Sequence, residues 1–540
     1  MRGLRMKAFY CAGVLLLYFA LPARAVNVYT GCDVPKTTHN NVWYFDPVHG
    51  NTKAAGNNGS QGAPWNNLNA LVKAQPGYPY PLLKSVPYRQ VPVPRQPAVE
   101  KTGPDTGPIA PGDEILLMSG NYGDVWLSGP GAEISNSDFL TVAAAPGQTP
   151  VLTSLFVAGT NKWVFNGLKV QSLKPAALSG NSLVTIKDGG AKLPTSDIVL
   201  ENMIISSQDN VQAWSQAQWI ADARNGFSAL SSAGGANTKC VSLTGSHISN
   251  IRYGAGLFAN QLVFSNNQLD HFGGDGIDYG ASNLAITKNN IHDPLDVGDG
   301  NHPDAMQGQI GVLARGAVLN HFQNILIDSN LIIRQTDPGL LFPNVLQGID
   351  AFDSDWTNVT VSNNVVVTSA CWGIDFSSIH NGLIVNNTVV GDGLITTPGC
   401  APTVAVGDKT HEGPSSSNTA VRNNLASRLI IYNLDSGVEA DHNVLMYAGG
   451  GALIAWYSGG VIQYLGDQGT TYANHNIVDS GGAASEFVNF NPARLTYNLM
   501  LKSVAQARSA GTTNGAPALD ILGAARAASS TTAGAYGFPY

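Results

Sequence analysis

Between residues 264 and 375 the chain repeats two short phrases, and their recurrence restricts the fold to one that stacks copies of a single unit. One phrase has the form apolar, x, x, Asn, x, apolar: Phe264 to Leu269 around Asn267, Ile286 to Ile291 around Asn289, and Ile327 to Ile332 around Asn330. Further copies surround Asn364, Asn387, Asn424 and Asn443, and Val199 to Ile204 around Asn202 is an early one. The second phrase reads Gly276-Ile277-Asp278, Ala305-Met306-Gln307, Gly348-Ile349-Asp350 and Gly373-Ile374-Asp375. Three residues before each closing residue stand Asp275, Asp304, Gln347 and Trp372, so two parallel columns recur, both rich in acids. Intervals of roughly twenty to forty residues mark a repeat architecture in which no copy can bury its own apolar face.

Within the copies, apolar and polar residues alternate, as in Val359-Thr360-Val361, and a period of two is a strand signal. Asn at a fixed place suits a coil corner, because it tolerates left-handed backbone angles and its amide can bond the same amide one rung above. Few segments carry helical periodicity. The chain therefore reads as all-β, a right-handed parallel β-helix in which the columns stack at roughly 4.8 Å per rung.

The first part of the chain carries Trp43-Tyr44-Phe45-Asp46-Pro47, Gly50-Asn51 and Gly62-Ala63-Pro64-Trp65, followed by Leu68 and Leu71. Later come Pro111-Gly112-Asp113-Glu114-Ile115-Leu116 and Gly120-Asn121-Tyr122. Near the end stand Ala516-Pro517-Ala518, Asp520, Gly523, Arg526 and Gly534-Ala535-Tyr536. Together these stretches resemble the secreted pectate-lyase-like right-handed β-helix superfamily over nearly the whole chain beyond the leader. The resemblance implies an N-terminal capping helix and polysaccharide chemistry, and it specifies a fold more strongly than a reaction.

Arg2, Arg5 and Lys7, an apolar run from Ala8 to Leu21, and Ala23-Arg24-Ala25 form the three-part pattern of a signal peptide cleaved after Ala25. The run is shorter than the roughly 20 residues that span a bilayer, so a secreted or periplasmic protein without a membrane span is expected. Cleavage would remove four basic residues and move the formal charge from -8 to -12. A chain that acidic has no general attraction for nucleic acid, and an anionic polymer would need a local basic patch or a bridging cation. Residues 26–540 are expected to form one monomeric solenoid with two insertions. Residues 76–111 are Pro-rich and read as an extended arm of polyproline character, and residues 208–224, with Trp214 and Trp219, read as a short helix over a coil. Of the cysteines beyond the leader, Cys371 and Cys400 lie about one coil apart and are the favoured bridge, with Cys32 and Cys240 left open.

The distance from the ladder asparagine to the closing residue is eleven residues from Asn267 to Asp278 and from Asn364 to Asp375. It is eighteen from Asn289 to Gln307 and twenty from Asn330 to Asp350, so two neighbouring coils carry extra loops just before the acidic columns. Loops on a rigid scaffold are where sites are built. The first loop runs from His292 to Asp304 and holds Asp293, Asp296, Asp299 and His302 between those ends. Two unit charges at the rung spacing repel by roughly 3 to 4 kcal/mol at an effective dielectric of about 20, so acids stacked this way must share protons or hold a cation.

A hard cation with oxygen ligands, calcium above all, is expected on Asp275, Asp278 and Asp304. The resemblance implies calcium-assisted β-elimination of a uronate-containing polysaccharide, in which a basic residue removes the proton at C5. Asp275-Gly276-Ile277-Asp278 is similar to part of an Asp-rich metal motif in one lyase group, with Gly274 where a further Asp would stand. Lys288 falls on a different side from the columns and Arg334 near a corner. This leaves His302 as base or proton carrier, Asp304 as its orienting or metal-binding partner, and Arg315 as carboxylate or base candidate. Asp278 and Asp350 complete the catalytic set, with Gln307, Gln347, Trp372 and Asp375 as substrate contacts. The alternatives are a glycoside hydrolase working through pairs among Asp278, Asp350 and Asp375, and a non-catalytic carbohydrate-binding scaffold.

Overall fold

The computed structural model describes residues 31–537, apart from 87, 91–98, 102–106, 129–133, 173–181, 191–192, 232–236, 310–319, 353, 394–400, 408–414, 433–436, 447–452, 458–459, 465–472 and 530. Three long sheets of fifteen, thirteen and thirteen strands run along it, and in each the order of strands follows every third or so strand of the chain. One coil shows the plan. Asn260–Ser265 lies in the first sheet, Gln268–Phe272 in the second and Ile277–Tyr279 in the third, and Leu284–Thr287 returns to the first sheet parallel to Asn260–Ser265. The chain is thus a parallel β-helix.

Register converts the repeated phrase into a core. Phe264 pairs with Ile286, Ile286 with Ile327 and Ile327 with Val361, and all four side chains are fully buried. Leu269, Ile291, Ile332 and Val366 make the matching buried line in the second sheet. Burying such a side chain contributes roughly 1.5–3 kcal/mol, so the stack is held mainly by these lines rather than by any one coil.

The corner between the first and second sheets uses two consecutive residues for two separate jobs. Asn266, Lys288, Ser329, Asn363, Asn386 and Asn423 take left-handed angles, with φ between 53° and 59°. The residues after them form a buried amide ladder through Asn267, Asn289, Asn330, Asn364, Asn387, Asn424, Asn443 and Asn476. In each rung the side-chain oxygen accepts from the backbone N–H and the amide of the preceding rung, as Asn364 Oδ1 does from Asn330 at 3.0 and 2.9 Å. The ladder Nδ2 also donates to a carbonyl of the preceding coil, closing the account for buried polar groups. Asn202 belongs to the other line: its φ is 54°, and register sets it beside Gly245 and Asn266, so the expected ladder position there was one residue early. The ladder column instead continues from Asn267 to Ser246.

The expected capping helix is absent among the described residues. The N-terminal region has only the 3-10 turns Lys53–Ala55 and Leu68–Leu71, and Trp65, Leu68, Leu71, Tyr78, Leu82 and Ile109 join the solenoid core from irregular segments. Gly, Pro and Asn punctuate this stretch too often for a helix to propagate. The segment 76–111 is not an extended arm over its described first part: Tyr78 is fully buried, with its hydroxyl bonded to Asn66 and to the Asn51 carbonyl. Residues 208–224 contain an α-helix, Gln216–Asp222, started by a capping box of Ser215 and Gln218. Trp214 and Trp219 pack edge-on against each other at 5.2 Å and are buried in one cluster with Leu295 and Val297, so both serve packing.

A disulfide joins Cys32 to Cys240 across 208 residues. Cys371 is also disulfide-bonded, and Cys400, its expected partner, lies outside the described residues, as does the expected signal peptide. No helix among the described residues is long and apolar enough to cross a membrane.

Candidate functional site

The acidic columns are a real feature of the third sheet. Strands Ile277–Tyr279, Asp304–Gly308, Gln347–Ala351 and Trp372–Phe376 pair in parallel, with Asp278 opposite Gln307, Gln307 opposite Asp350 and Asp350 opposite Asp375. Ile277, Met306, Ile349 and Ile374 alternate with them and fill the core, which turns the polar column to the outer face. Asp304 sits opposite Gln347 in the second column, and the backbone N–H of Asp304 donates to Asp275 Oδ1 at 3.0 Å. The small residue between the columns is a packing requirement: a Cβ at Gly276 would lie 2.8 Å from the Ala305 carbonyl oxygen.

Burial within the columns is uneven. Asp304, Asp350 and Asp375 are fully buried and Asp275 nearly so, while Asp278, Gln307, Gln347 and Trp372 are half-buried and His302 is exposed. Asp304 Oδ2 accepts from Gln307 Nε2 at 2.6 Å, while its Oδ1, Asp278 Oδ1 and both Asp350 oxygens are buried and receive no hydrogen bond when the acids are ionised, and a proton held between Asp304 and Asp350 would join those two. Burial, then the charge of Asp275, pushes Asp304 up to about 8. Burial followed by Asp275 and Asp304 raises Asp278 well above the carboxylate range, and burial followed by Asp304 and Asp375 does the same for Asp350. Asp275 is also raised by burial, against the pull of the Asp304 N–H, His302 and Arg252. Without a counter-charge Asp304 keeps its proton near neutral pH, and its acidic neighbours are shifted in the same direction.

The long loop delivers less to this cluster than its composition suggests. His292 and Asp293 belong to a strand of the second sheet, where they bond each other and Thr336. Burial would raise Asp293, but His292 and Thr336 hold it down to about 2. Asp296 accepts from the Gly298 N–H, and Asp299 pairs with Arg252. Of its acids and histidines only His302 and Asp304 reach the columns, and they do not form the expected dyad: His302 Nδ1 bonds Gln347 Nε2 at 2.8 Å, while Asp304 turns to Gln307. The two loops lock together through Asp296 N–H to the Phe342 carbonyl and Asn344 N–H to the Pro294 carbonyl, forming one wall beside the face.

Other basic candidates sort out by position. Lys288 occupies the left-handed corner, away from the columns, and Arg334 is buried in an ion pair with Asp392. Arg315 lies outside the described residues. Two residues that the phrase did not single out stand at the cluster. Tyr253 is one rung before Asp275, since Ala255 pairs with Ile277, and Arg252 lies 5.7 Å from its ring. Burial and the Asp275 charge raise the Tyr253 hydroxyl above its usual value. A Cβ at Gly274 would meet the Tyr253 ring at 2.5 Å, which explains why no Asp stands there. Extending the two columns one coil back, to Tyr253-Gly254-Ala255-Gly256, was the signal that would have found Tyr253.

The donor set suits a hard divalent cation, because Asp278, Asp304 and Asp350 present buried oxygens that receive no hydrogen bond when ionised, beside Asp275. The set is open: among the described residues no three of these acids bring ligand atoms within 4.8 Å of one another, so a bound cation would have to draw them in.

No family model matches the sequence, and neither does any curated protein. Among solved structures, the pectate lyase Pel9A is similar at 13% identity, over 93% of this chain and 97% of that one, with a TM-score of 0.37. XylC in complex with xylose is similar at 9% identity, over 92% and 98%, with a TM-score of 0.38. A lacto-N-biosidase from Eubacterium ramulus is similar at 11% identity, over 74% and 65%, with a TM-score of 0.34. The chain is a parallel β-helix. Its assignment to that fold rests on the strand register, and its chemistry has to be argued from the columns.

Proposed function

We propose that the protein is a polysaccharide-cleaving enzyme that acts on a uronate-containing glycan at the outer face of the third sheet, by calcium-assisted β-elimination. The observation that carries this reading is the set of buried carboxyl oxygens on Asp278, Asp304 and Asp350 that no donor satisfies. Three such groups on successive coils are strongly unfavourable unless protonated or paired with a cation. Asp275, Asp278 and Asp304 would hold the ion, with Asp350 behind them. Calcium bound there would offset the charge of the sugar carboxylate and make the neighbouring C–H more acidic.

The remaining roles follow from exposure. Gln307, Gln347 and Trp372 are the accessible uncharged members of the columns and contact the sugar. His302 at the rim is the proton acceptor once its bond to Gln347 is exchanged for substrate, because a neutral imidazole needs a free ring nitrogen to serve as base. Tyr253, whose proton is held firmly, donates to the leaving oxygen.

Hydrolysis is the second reading, favoured by one fact: Asp304 is a carboxylic acid that keeps its proton near neutral pH, as a general acid must. Among these acids Asp278 is the half-buried one that a water or a sugar can meet, since Asp304, Asp350 and Asp375 are all fully buried, so Asp304 would act only once its cover opens. The test is incubation with a panel of polysaccharides, with calcium or with chelator, following reducing ends and the ultraviolet absorbance of an unsaturated product. Unsaturated product lost on chelation supports elimination. Reducing ends without it establish hydrolysis, and binding with neither signal establishes a scaffold.

A further inference from the structure

Far from the acidic face, at the last rungs of the amide ladder, the left-handed corner line changes residue type. Asn363, Asn386 and Asn423 hold it on earlier coils, and His442 and His475 hold it on the next two, each with φ of 55°. Asn423 still donates to Asn386 at 3.3 Å, so the line is a stack of amides up to that rung. From there it is a stack of imidazoles, with ring centres 4.5 Å apart and planes 29° from parallel. Asp441, the residue before His442, completes the group: its Oδ2 lies 2.8 Å from His442 Nδ1 and its Oδ1 3.2 Å from His475 Nδ1. One carboxylate and two imidazole nitrogens thus lie within 4.8 Å of one another.

The contact at His442 is not a hydrogen bond. Its Nδ1 is buried and makes none, although Asp441 Oδ2 is at bonding distance, so the nitrogen faces the carboxylate without an N–H aligned between them. A ring nitrogen held that close to a carboxylate oxygen with no hydrogen bond between them is the arrangement two ligands take around a shared cation. Arg422, the nearest basic residue along the sheet, bonds Glu439 instead, and among the described residues the ion-pair partners of Asp441 are these two histidines. The three side chains are partly exposed, so an ion could enter and keep a water. A second grouping, Cys32 with Asp197 and Cys240, has no such capacity, because its sulfurs are joined in the disulfide.

We propose that Asp441, His442 and His475 bind one divalent transition-metal ion, with zinc as the fitting metal, and that the ion staples the last two coils of the ladder together. Two imidazoles and a carboxylate with an open fourth position are a zinc donor set, unlike the all-oxygen set of the third sheet. The site does not depend on the proposed catalytic reading, and it neighbours Asn443 and Asn476, the final pair of the amide ladder.

The test uses untagged full-length protein, stripped with chelator and returned to buffer containing excess calcium so that the acidic face does not compete. Zinc is titrated calorimetrically and cobalt by its visible absorbance, and Tm is read with and without zinc. One equivalent of zinc, nitrogen-ligated cobalt bands and a zinc-dependent rise in Tm are expected. His442→Asn and His475→Asn, which restore the residue of the earlier rungs, should each lose all three signals, as should Asp441→Asn. His321→Asn, at a separate histidine that bonds Asp355, should lose none. No binding by the wild-type protein, or equal binding by the three site variants, overturns the proposal.

Discussion

At the scale of residues, a carboxylate on the outer face of a strand is ordinarily solvated, and Asp304 is unusual because loops and neighbouring rungs bury it completely. Asp304→Asn keeps its shape and removes its charge. Activity on any substrate should be lost, whereas Tm at pH 8 in chelator should rise, because a buried acid with one oxygen unsatisfied has been replaced by an amide. Retained activity would remove Asp304 from the site. Gly274→Asp is the complementary case: it adds the acid that the metal motif resembled by this stretch would have, but its Cβ collides with Tyr253. Calcium titration and turnover together should show no gain in affinity and a fall in rate, since the ring must leave its place. The identities of the acids were legible from sequence, because period-two alternation sends every second residue outward. Their protonation was not, because burial depends on loops tens of residues away.

At the scale of elements, the ladder and the corner line show how far a repeated phrase can be read. Recurrence marked Asn267, Asn289, Asn330, Asn364, Asn387, Asn424 and Asn443, and all are rungs. It erred by one residue at Asn202, where the coil has a lone Asn and either corner position would accept it. Asn364→Ala should destabilise the protein by about 3 kcal/mol in chemical denaturation, because it strands the Asn330 N–H, the Asn330 amide and the Ile327 carbonyl in the interior. A loss under about 0.5 kcal/mol would mean that water replaces the rung. The capping helix, which the described residues do not contain, was expected from resemblance alone, and the described residues of that stretch lack helical periodicity.

At the scale of the whole molecule, opposing shifts shape the pH dependence. Asp304 titrates at about 8 in the folded state against an ordinary 3.8, so the folded protein keeps a proton that the unfolded chain has lost. Stability from that source is full below about pH 4 and falls as pH rises toward about 8. Asp293, held at about 2, contributes stability above about pH 4 that is lost as pH falls toward 2. In chelator, Tm should therefore pass through a maximum in mildly acidic buffer and decline toward pH 8. Calcium should flatten the alkaline decline, and Asp304→Asn should remove part of it without calcium. The Cys32–Cys240 bridge acts at this scale too, tying the first described residues to a coil 208 residues on. Cys240→Ser should lower Tm while leaving the far end of the solenoid protected from hydrogen exchange, because coils in a solenoid contact only their neighbours.

The amino-acid sequence by itself determined the coil period, the ladder, the buried lines and the two acidic columns, because strand alternation and corner geometry are local and each copy repeats them. Only the tertiary structure decided which carboxyl oxygens are left without donors, that His302 turns to Gln347 rather than Asp304, that Tyr253 takes the space beside Gly274, and that His442 and His475 stack over Asp441. Those outcomes depend on what the neighbouring coils and loops bring into contact, and loop lengths that vary from coil to coil leave no period from which to read them.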